Sequence, residues 1–401
     1  VNRTGKVLTA LSLGAAMALT ACAPTAEPGS NGAAGPGAAE DSVNIGIIYS
    51  KTGPLAAEGD AYLEGLQAGL DYATDGTGRV GDFELNITYH DDGGEADQAA
   101  VVAGELVGKD YKVLAGAASS EIALKLAGLA AQDKVLYISG SAATDAISGA
   151  NKYTFRSGRQ YMQDAATAGT FLDDVNGKKI AVFTQDNAFG QEHLAAAEAV
   201  LGLQGANVSN ILVPEEVTEF APFARQLVDA KPDLIYAAWA GASSGAMWQA
   251  LDRQGAFDIA PIVTGLGEVT TYGAFGGAGE KISFFSHYFP GAAGTDVEQE
   301  MISSVAEAGK EAGQFSPDGF VAGQMIARAV GEGGNDVEQM VTAFEGWSFE
   351  GPQGETTVRA SDHGLVQNMY RVSLAREGWN WIPELLETVP GEDIAPPEIV
   401  N

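Results

Sequence analysis

The sequence predicts an α/β fold of parallel sheets with helices on both faces, and three observations carry that prediction. Short runs rich in Val, Ile and Tyr alternate with longer amphipathic runs along most of the 401 residues, the rhythm of right-handed strand-helix-strand crossovers. The single cysteine, Cys22, allows no intrachain disulfide, so the folded region has to be held by its apolar core. About 360 residues follow the low-complexity start of the chain, enough for two lobes, each with a core of its own.

Taken in order, the chain opens with a basic start at Arg3 and Lys6 and an apolar run over residues 7–21, the arrangement of a secretory signal. That run is about 15 residues, short of the roughly 20 that a bilayer-spanning helix needs. Leu19-Thr20-Ala21-Cys22 at its end resembles the lipobox of a bacterial lipoprotein. The resemblance implies cleavage of residues 1–21, acylation of the Cys22 thiol, and a protein held on the extracellular face of the cell membrane. An ordinary cleaved signal with a chance cysteine is the alternative. Residues 22–42 then read as the lipidated cysteine and a tether, since 23–42 are almost wholly Ala, Pro, Gly, Ser, Thr and acids. Such a flexible chain spans roughly 25 Å on average.

Residues 43–49, dominated by Val, Ile and Tyr, form the first expected strand, and Thr52-Gly53-Pro54 turns the chain. Tyr62, Leu63, Leu66 and Leu70 recur at three- and four-residue spacing, a stripe that predicts a helix over 60–73 packed on a sheet. Further strands are expected at 83–89, 112–116, 135–139, 179–184, 207–213, 233–239 and 282–288, with helices between most of them. Ligands of such sheets bind at the carboxyl ends of the strands, so function is sought in the loops there.

Two of those loops stand out. Gly116 is followed by Ala117-Ala118-Ser119-Ser120-Glu121, which puts two hydroxyls at the start of an apolar helix, where unpaired amides bind anions. Helix capping by Ser119 or Ser120 accounts for the same residues. Ser139-Gly140-Ser141-Ala142-Ala143-Thr144-Asp145 is a second hydroxyl-rich loop, beside the first in a parallel order. Together they would make a carboxylate cradle, although turn formation alone explains the second equally well.

Composition and the remaining motifs narrow the function classes. With 22 basic and 53 acidic side chains the formal net charge is -31, and loss of Arg3 and Lys6 with the signal would make the mature chain about two units more negative. This argues against nucleic acid or an anionic lipid surface as a partner. His90, His193 and His287 lack ligand spacing, so neither a metal site nor a cofactor is expected. Asp91-Asp92 reads as a solvated strand end. There is no Gly-x-x-x-x-Gly-Lys-Ser/Thr phosphate loop, so any ATPase would be a separate subunit. Gly241-Ala242-Ser243-Ser244-Gly245 fits Gly-x-Ser-x-Gly after an expected strand, with Asp296 and His363 following in hydrolase order. Gly and Ser are abundant here, so an enzyme is not expected, and a secreted serine hydrolase is kept as the minor alternative.

A wider pattern runs through 45–59 with its Thr52-Gly53-Pro54, Ala115-Gly116-Ala117-Ala118-Ser119-Ser120, 138–144 and Tyr153-Thr154-Phe155-Arg156-Ser157. It continues through Asp186-Asn187-Ala188-Phe189-Gly190, Lys231-Pro232-Asp233 and Phe349-Glu350-Gly351-Pro352-Gln353-Gly354. In that order and spacing, residues 43–390 resemble the extracellular solute-binding proteins of ABC importers. The group is the branched-chain amino acid and amide (Leu/Ile/Val-binding) one, with the type I periplasmic-binding fold. The resemblance implies two Rossmann-like lobes joined by three hinge crossovers. Residues 43–157 with 285–350 would form the first lobe, 158–284 with 351–390 the second, and 391–401 a tail.

The resemblance also implies a ligand between the lobes, its polar head on Ser119, Ser120, Ala142 and Thr144. Phe189 and the strand end Trp239-Ala240-Gly241 would close over it, although Phe189 and Trp239 would serve equally as core residues. Amino acid binders of this group set an acid of the second lobe against the ligand's ammonium. That position falls on Leu266, with Glu268 two residues on, and Glu58 stands where an apolar wall residue is usual. Either acid could supply the clamp. With neither, an ammonium would go unpaired in a dry cleft, and amides, short carboxylates or aromatic acids become equal candidates. The function implied is a monomeric, lipid-anchored binding protein that delivers a small molecule to an ABC permease and its ATPase subunits. A ligand sensor acting through a membrane signalling partner is the alternative.

Overall fold

The computed structural model describes residues 42–399, so the expected signal, Cys22 and nearly all of the tether lie outside the described residues. A first sheet contains β1 (Ser42–Tyr49), β2 (Arg79–Val80), β3 (Phe83–Asp91), β4 (Val113–Gly116), β5 (Leu136–Ser139) and β6 (Thr154–Arg156), in the order β2-β3-β1-β4-β5-β6. Apart from the short antiparallel β2, its strands pair in parallel. A second sheet takes β7 (Lys179–Gln185), β8 (Asn207–Val213), β9 (Leu234–Ala238), β10 (Ile262–Gly265) and β11 (Ser283–Ser286). Then β12 (Ser348–Gly351), β13 (Gly354–Val358) and β14 (Leu365–Val366) form a small antiparallel sheet. Finally β15 (Met369–Glu377) and β16 (Asn380–Val389) complete the second sheet in the order β16-β15-β11-β10-β9-β7-β8.

The helices on these sheets are α1 (Ala56–Ala73), α2 (Ala96–Val107), α3 (Ser120–Asp133), α4 (Tyr161–Gly169) and α5 (Ala188–Ala197). They continue as α6 (Ala221–Ala230), α7 (Ser244–Arg253), α8 (Asp296–Glu307), α9 (Ser316–Gly333) and α10 (Val337–Phe344).

Every strand expected from the apolar pattern is present, with its ends shifted by a residue or two at most. β4 and β5 are buried at each position, as strands covered by helices on both faces must be. The helix expected over 60–73 starts earlier, at Ala56, just past the Gly53-Pro54 turn, and buries Tyr62, Leu66 and Leu70 as its stripe requires. The sheets are parallel for the most part, as expected, and turn antiparallel at the C-terminal end. β15 and β16 are antiparallel neighbours joined by Gly378, at φ 63°, and Trp379. A two-residue link cannot hold the crossover that a parallel pair needs.

The chain passes between the two sheets three times: after β6, after β11, and through the small sheet before β15. Phe285 and Ser286 still pair within the second sheet, while Val358 and Leu365 join the core of the first. The changes of lobe expected at 285 and 351 thus fall inside these elements.

After the second crossing, α9 packs along α1 by way of glycines. A Cβ on Gly65 would stand 1.8 Å from the Ser316 carbonyl oxygen, and one on Gly319 would stand 1.9 Å from that of Tyr62. Only glycine permits such backbone contact, and it ties the late part of the chain to the first lobe. Around that seam Ile45, Leu114, Ile138, Met325 and Phe344 share one apolar core. The second sheet has its own cores on its two faces, one around Phe183, Trp248 and Phe284 and one around Ile180, Val182 and Val263.

Candidate functional site

A cavity of about 670 Å³ opens at the carboxyl ends of strands from both sheets. From the first lobe, the loop after β4 brings Ser119 and Ser120 and that after β5 Ser141 and Ala143, while the first crossing between the sheets, after β6, brings Arg159 and Tyr161. From the second, Phe189 and Glu192 follow β7, Trp239 follows β9, Glu268 follows β10, and His287 follows β11. The volume lies in the range of small-molecule sites.

Of the residues singled out from the sequence, Ser119, Ser120, Glu58, Phe189, Trp239 and Glu268 line this cavity, whereas Ala142, Thr144 and Gly241 do not. Arg156 is the reason for the first two. Its fully buried guanidinium donates from Nη2 to the Ala142 carbonyl at 3.1 Å, from Nη1 to the Thr144 carbonyl at 3.0 Å, and from Nε to that of Gly158 at 3.0 Å. The Ala142 amide is also taken, by the Ala117 carbonyl at 3.3 Å. The even-numbered residues of the loop are thus held inward, and Ser141 and Ala143 face the cavity, as side chains alternate along an extended segment. Gly241 is exposed and starts the turn into α7, its carbonyl accepting from the Ser244 hydroxyl at 2.7 Å.

Capping does not account for the serines at the start of α3. Ser119 occupies the cap position without a side-chain cap bond, and the Ser120 hydroxyl points across the cleft to Glu192, 3.5 Å away. Phe189 meets Tyr161 and His193 edge-on, at centroid distances of 6.1 and 4.5 Å. Trp239 stacks on Phe183 at 5.5 Å and donates its indole N–H to Ser243 at 3.1 Å. Each aromatic therefore packs on the second lobe and also walls the cavity.

The electrostatics come from burial. Glu58, on α1, has its carboxyl pushed up to about 7 by burial, against the pull of Arg159 and the Ser141 hydroxyl, with Glu268 adding to the rise. Burial also raises Glu268, whose Oε1 accepts from the Gln314 amide at 3.0 Å. Arg159 donates from Nε to both oxygens of Asp164, at 3.1 and 3.2 Å. Burial works against the Arg159 charge, but Asp164 more than restores it, so the guanidinium is held above its ordinary value. Burial pushes Asp164 up to about 6, with Arg159 opposing.

Burial biases the two histidines of the site toward the neutral form. Burial, with Arg159 nearby, pushes His193 down to about 3, and its Nδ1 lies 2.7 Å from the Tyr236 hydroxyl. His287, fully buried 3.6 Å from Asp318, is lowered by burial, while burial raises the Asp318 carboxyl. Among the described residues no group of His, Cys, Asp and Glu is arranged to hold a metal ion, and no helix is long and apolar enough to cross a membrane.

The hydrolase pattern is not assembled. Ser243 holds the Trp239 indole, whereas His363 stacks on Phe155 at 3.9 Å in the first lobe, its Nδ1 3.1 Å from the Thr154 carbonyl. Sequence reasoning missed Ser141, Arg159, Tyr161, Glu192 and His193. The rule that loops after strands carry function would have found Arg159 and Tyr161 had β6 been read as a strand. At three residues it is too short to show a period.

The profile of the periplasmic binding protein family matches residues 42–378. Leu/Ile/Val-binding protein homolog 3 of Brucella melitensis is 24% identical over 253 residues, which are 62% of this chain and 68% of that one. Among solved structures, an ABC-type branched-chain amino acid transporter from Rhodopseudomonas palustris aligns with a TM-score of 0.80 at 26% identity, over 90% of this chain and 100% of that one. A solute binding protein of an ABC transporter from the same species, in complex with p-hydroxybenzoic acid, aligns with a TM-score of 0.75 at 21% identity, over 88% and 98%.

Proposed function

Because the chain belongs to the periplasmic binding protein family, whose members bind solutes and are not enzymes, we propose that it captures an amino acid between its lobes for an ABC importer. The observation that carries this reading is that Glu58 from the first lobe and Glu268 from the second line one cavity. A ligand ammonium buried there has a carboxylate on either side, where an unpaired one would be costly. An aromatic acid anion, the ligand of the Rhodopseudomonas palustris protein, would instead bring a further negative charge beside Glu58, Glu268 and Glu192. This favours an ammonium-bearing ligand over the amides and aromatic acids left open by the sequence.

In this reading Ser119 and Ser120 take the ligand's polar head and Glu58 and Glu268 its ammonium, while Phe189 and Trp239 wall its side chain. Ala142 and Thr144 stand behind the wall, and Gly241 lies outside it in the turn before α7. Ligand contacts on both lobes favour the closed state, since only a ligand that binds closed better than open shifts the balance. The protein works as a monomer, anchored through Cys22 on the extracellular face of the membrane, and passes its ligand to a permease driven by separate ATPase subunits. A thermal-shift panel of amino acids, their amides and aromatic acids tests the ligand class. A ligand at about 100 times its Kd adds about 2.7 kcal/mol, so amino acids should raise the melting temperature and p-hydroxybenzoate should not. The reverse order would refute the reading.

A further inference from the structure

We propose that Arg159 binds the ligand's carboxylate directly and makes the site demand a free carboxylate over its amide. The inference rests on the amino acid reading above and deepens it. Arg159 lies in the first crossing between the lobes, after β6 and just before α4, and its side chain reaches the cavity wall. Its backbone is fixed, because its carbonyl accepts from Arg156. Asp164 holds the guanidinium by Nε alone, at 3.1 and 3.2 Å, which leaves the two terminal nitrogens for a ligand. The side chain is 16% exposed, open enough to be reached from the cleft and too enclosed for bulk water to serve those donors well.

Arg159 is also the one Arg or Lys among the described residues that line the cavity. The hydroxyls of Ser119, Ser120 and Ser141 donate to an amide oxygen as readily as to a carboxylate oxygen, so they cannot set this preference. A guanidinium can. Its planar fork matches both oxygens of a carboxylate, whereas a carboxamide offers one oxygen and turns N–H donors toward it. Glu58 and Arg159 are near enough to influence each other's charge, so the cleft presents a negative and a positive pole side by side. A zwitterionic head fits that pair, its ammonium at Glu58 and Glu268 and its carboxylate at Arg159.

The test is isothermal titration calorimetry of L-leucine and L-phenylalanine, each against its own primary amide. The amides keep the ammonium, so the carboxylate alone is varied. Wild type is compared with Arg159→Lys, which keeps a charge for Asp164 but loses the fork. A double variant, Arg159→Met with Asp164→Asn, removes both buried charges together and strands neither. Wild type should favour the acid by on the order of 100-fold. That preference should shrink to within about tenfold in both variants, with the amide's own affinity little changed. The inference is overturned if wild type binds acid and amide alike, or if the preference survives in both variants, which would leave Arg159 as a partner of Asp164 and nothing more. Equal loss of acid and amide binding in both variants would also overturn it, as a purely structural role. If wild type binds neither amino acid, the ammonium reading of the cleft fails first, and this inference falls with it.

Discussion

Replacing Glu58 with glutamine should stabilise the empty protein at alkaline pH and at the same time weaken its hold on an amino acid. The Glu58 carboxyl stands at about 7 in the fold against an ordinary value of 4.5, chiefly because it is buried. That gap corresponds to about 3 kcal/mol. Below pH 4.5 the carboxyl keeps its proton in the folded and the unfolded chain alike, so it costs nothing. Between 4.5 and 7 the unfolded chain releases the proton while the folded one retains it, and stability falls as pH rises. Above 7 the whole cost is present. Glutamine keeps the shape and can still bond to Ser141 without the charge. Glu58→Gln should therefore gain almost nothing near pH 4 and about 3 kcal/mol near pH 8, read by urea denaturation without ligand. Calorimetry at the higher pH should show amino acid binding weakened by about 1.5 to 3 kcal/mol, the value of one hydrogen bond to a charged group. An equal stability change at both pH values would refute the burial argument, and unchanged affinity would take Glu58 off the ammonium.

Two further perturbations separate what the packing does from what the cleft does. Gly65→Ala puts a methyl group 1.8 Å from the Ser316 carbonyl, so α1 and α9 must part. A loss of about 1 to 3 kcal/mol in denaturant unfolding is expected, and a neutral result would mean that the seam yields freely. Ser141→Ala should weaken amino acid binding by about 1 kcal/mol or more, whereas Thr144→Ala should leave it within about twofold, since Thr144 is held behind the wall by Arg156. Calorimetric titration of the two variants decides between them, and the opposite order would restore Thr144 to the site.

Much of the fold was legible because strands buried on both faces read as unbroken apolar runs, as in 113–116 and 136–139, with amphipathic stretches between them. The C-terminal hairpin was not. β16 is exposed at most of its positions, so no apolar run marks it, and the direction of a strand pair depends on the link that joins it. Within the site, the loop rule reached segments that line the cavity, but not which side chains of the 139–145 loop face it. Whether Ser141 and Ala143 or Ala142 and Thr144 face the cavity is a one-residue question, decided here by a buried arginine that composition alone would put at the surface. Arg159 was hidden for the same reason and by the shortness of β6. Glu58 and Glu268 were both in view, but nothing in the sequence between them shows that residues so far apart line one cavity; that is a product of the way the two sheets face each other.

Whether the cleft holds an ammonium is read by calorimetric titration of the purified protein with L-leucine and with isocaproate, the same carbon skeleton and carboxylate without the amino group. If Glu58 and Glu268 hold an ammonium, leucine should bind tighter than isocaproate by on the order of 100-fold. Equal binding, or tighter binding of isocaproate, would contradict the account and return the cleft to the aromatic and short-chain acids.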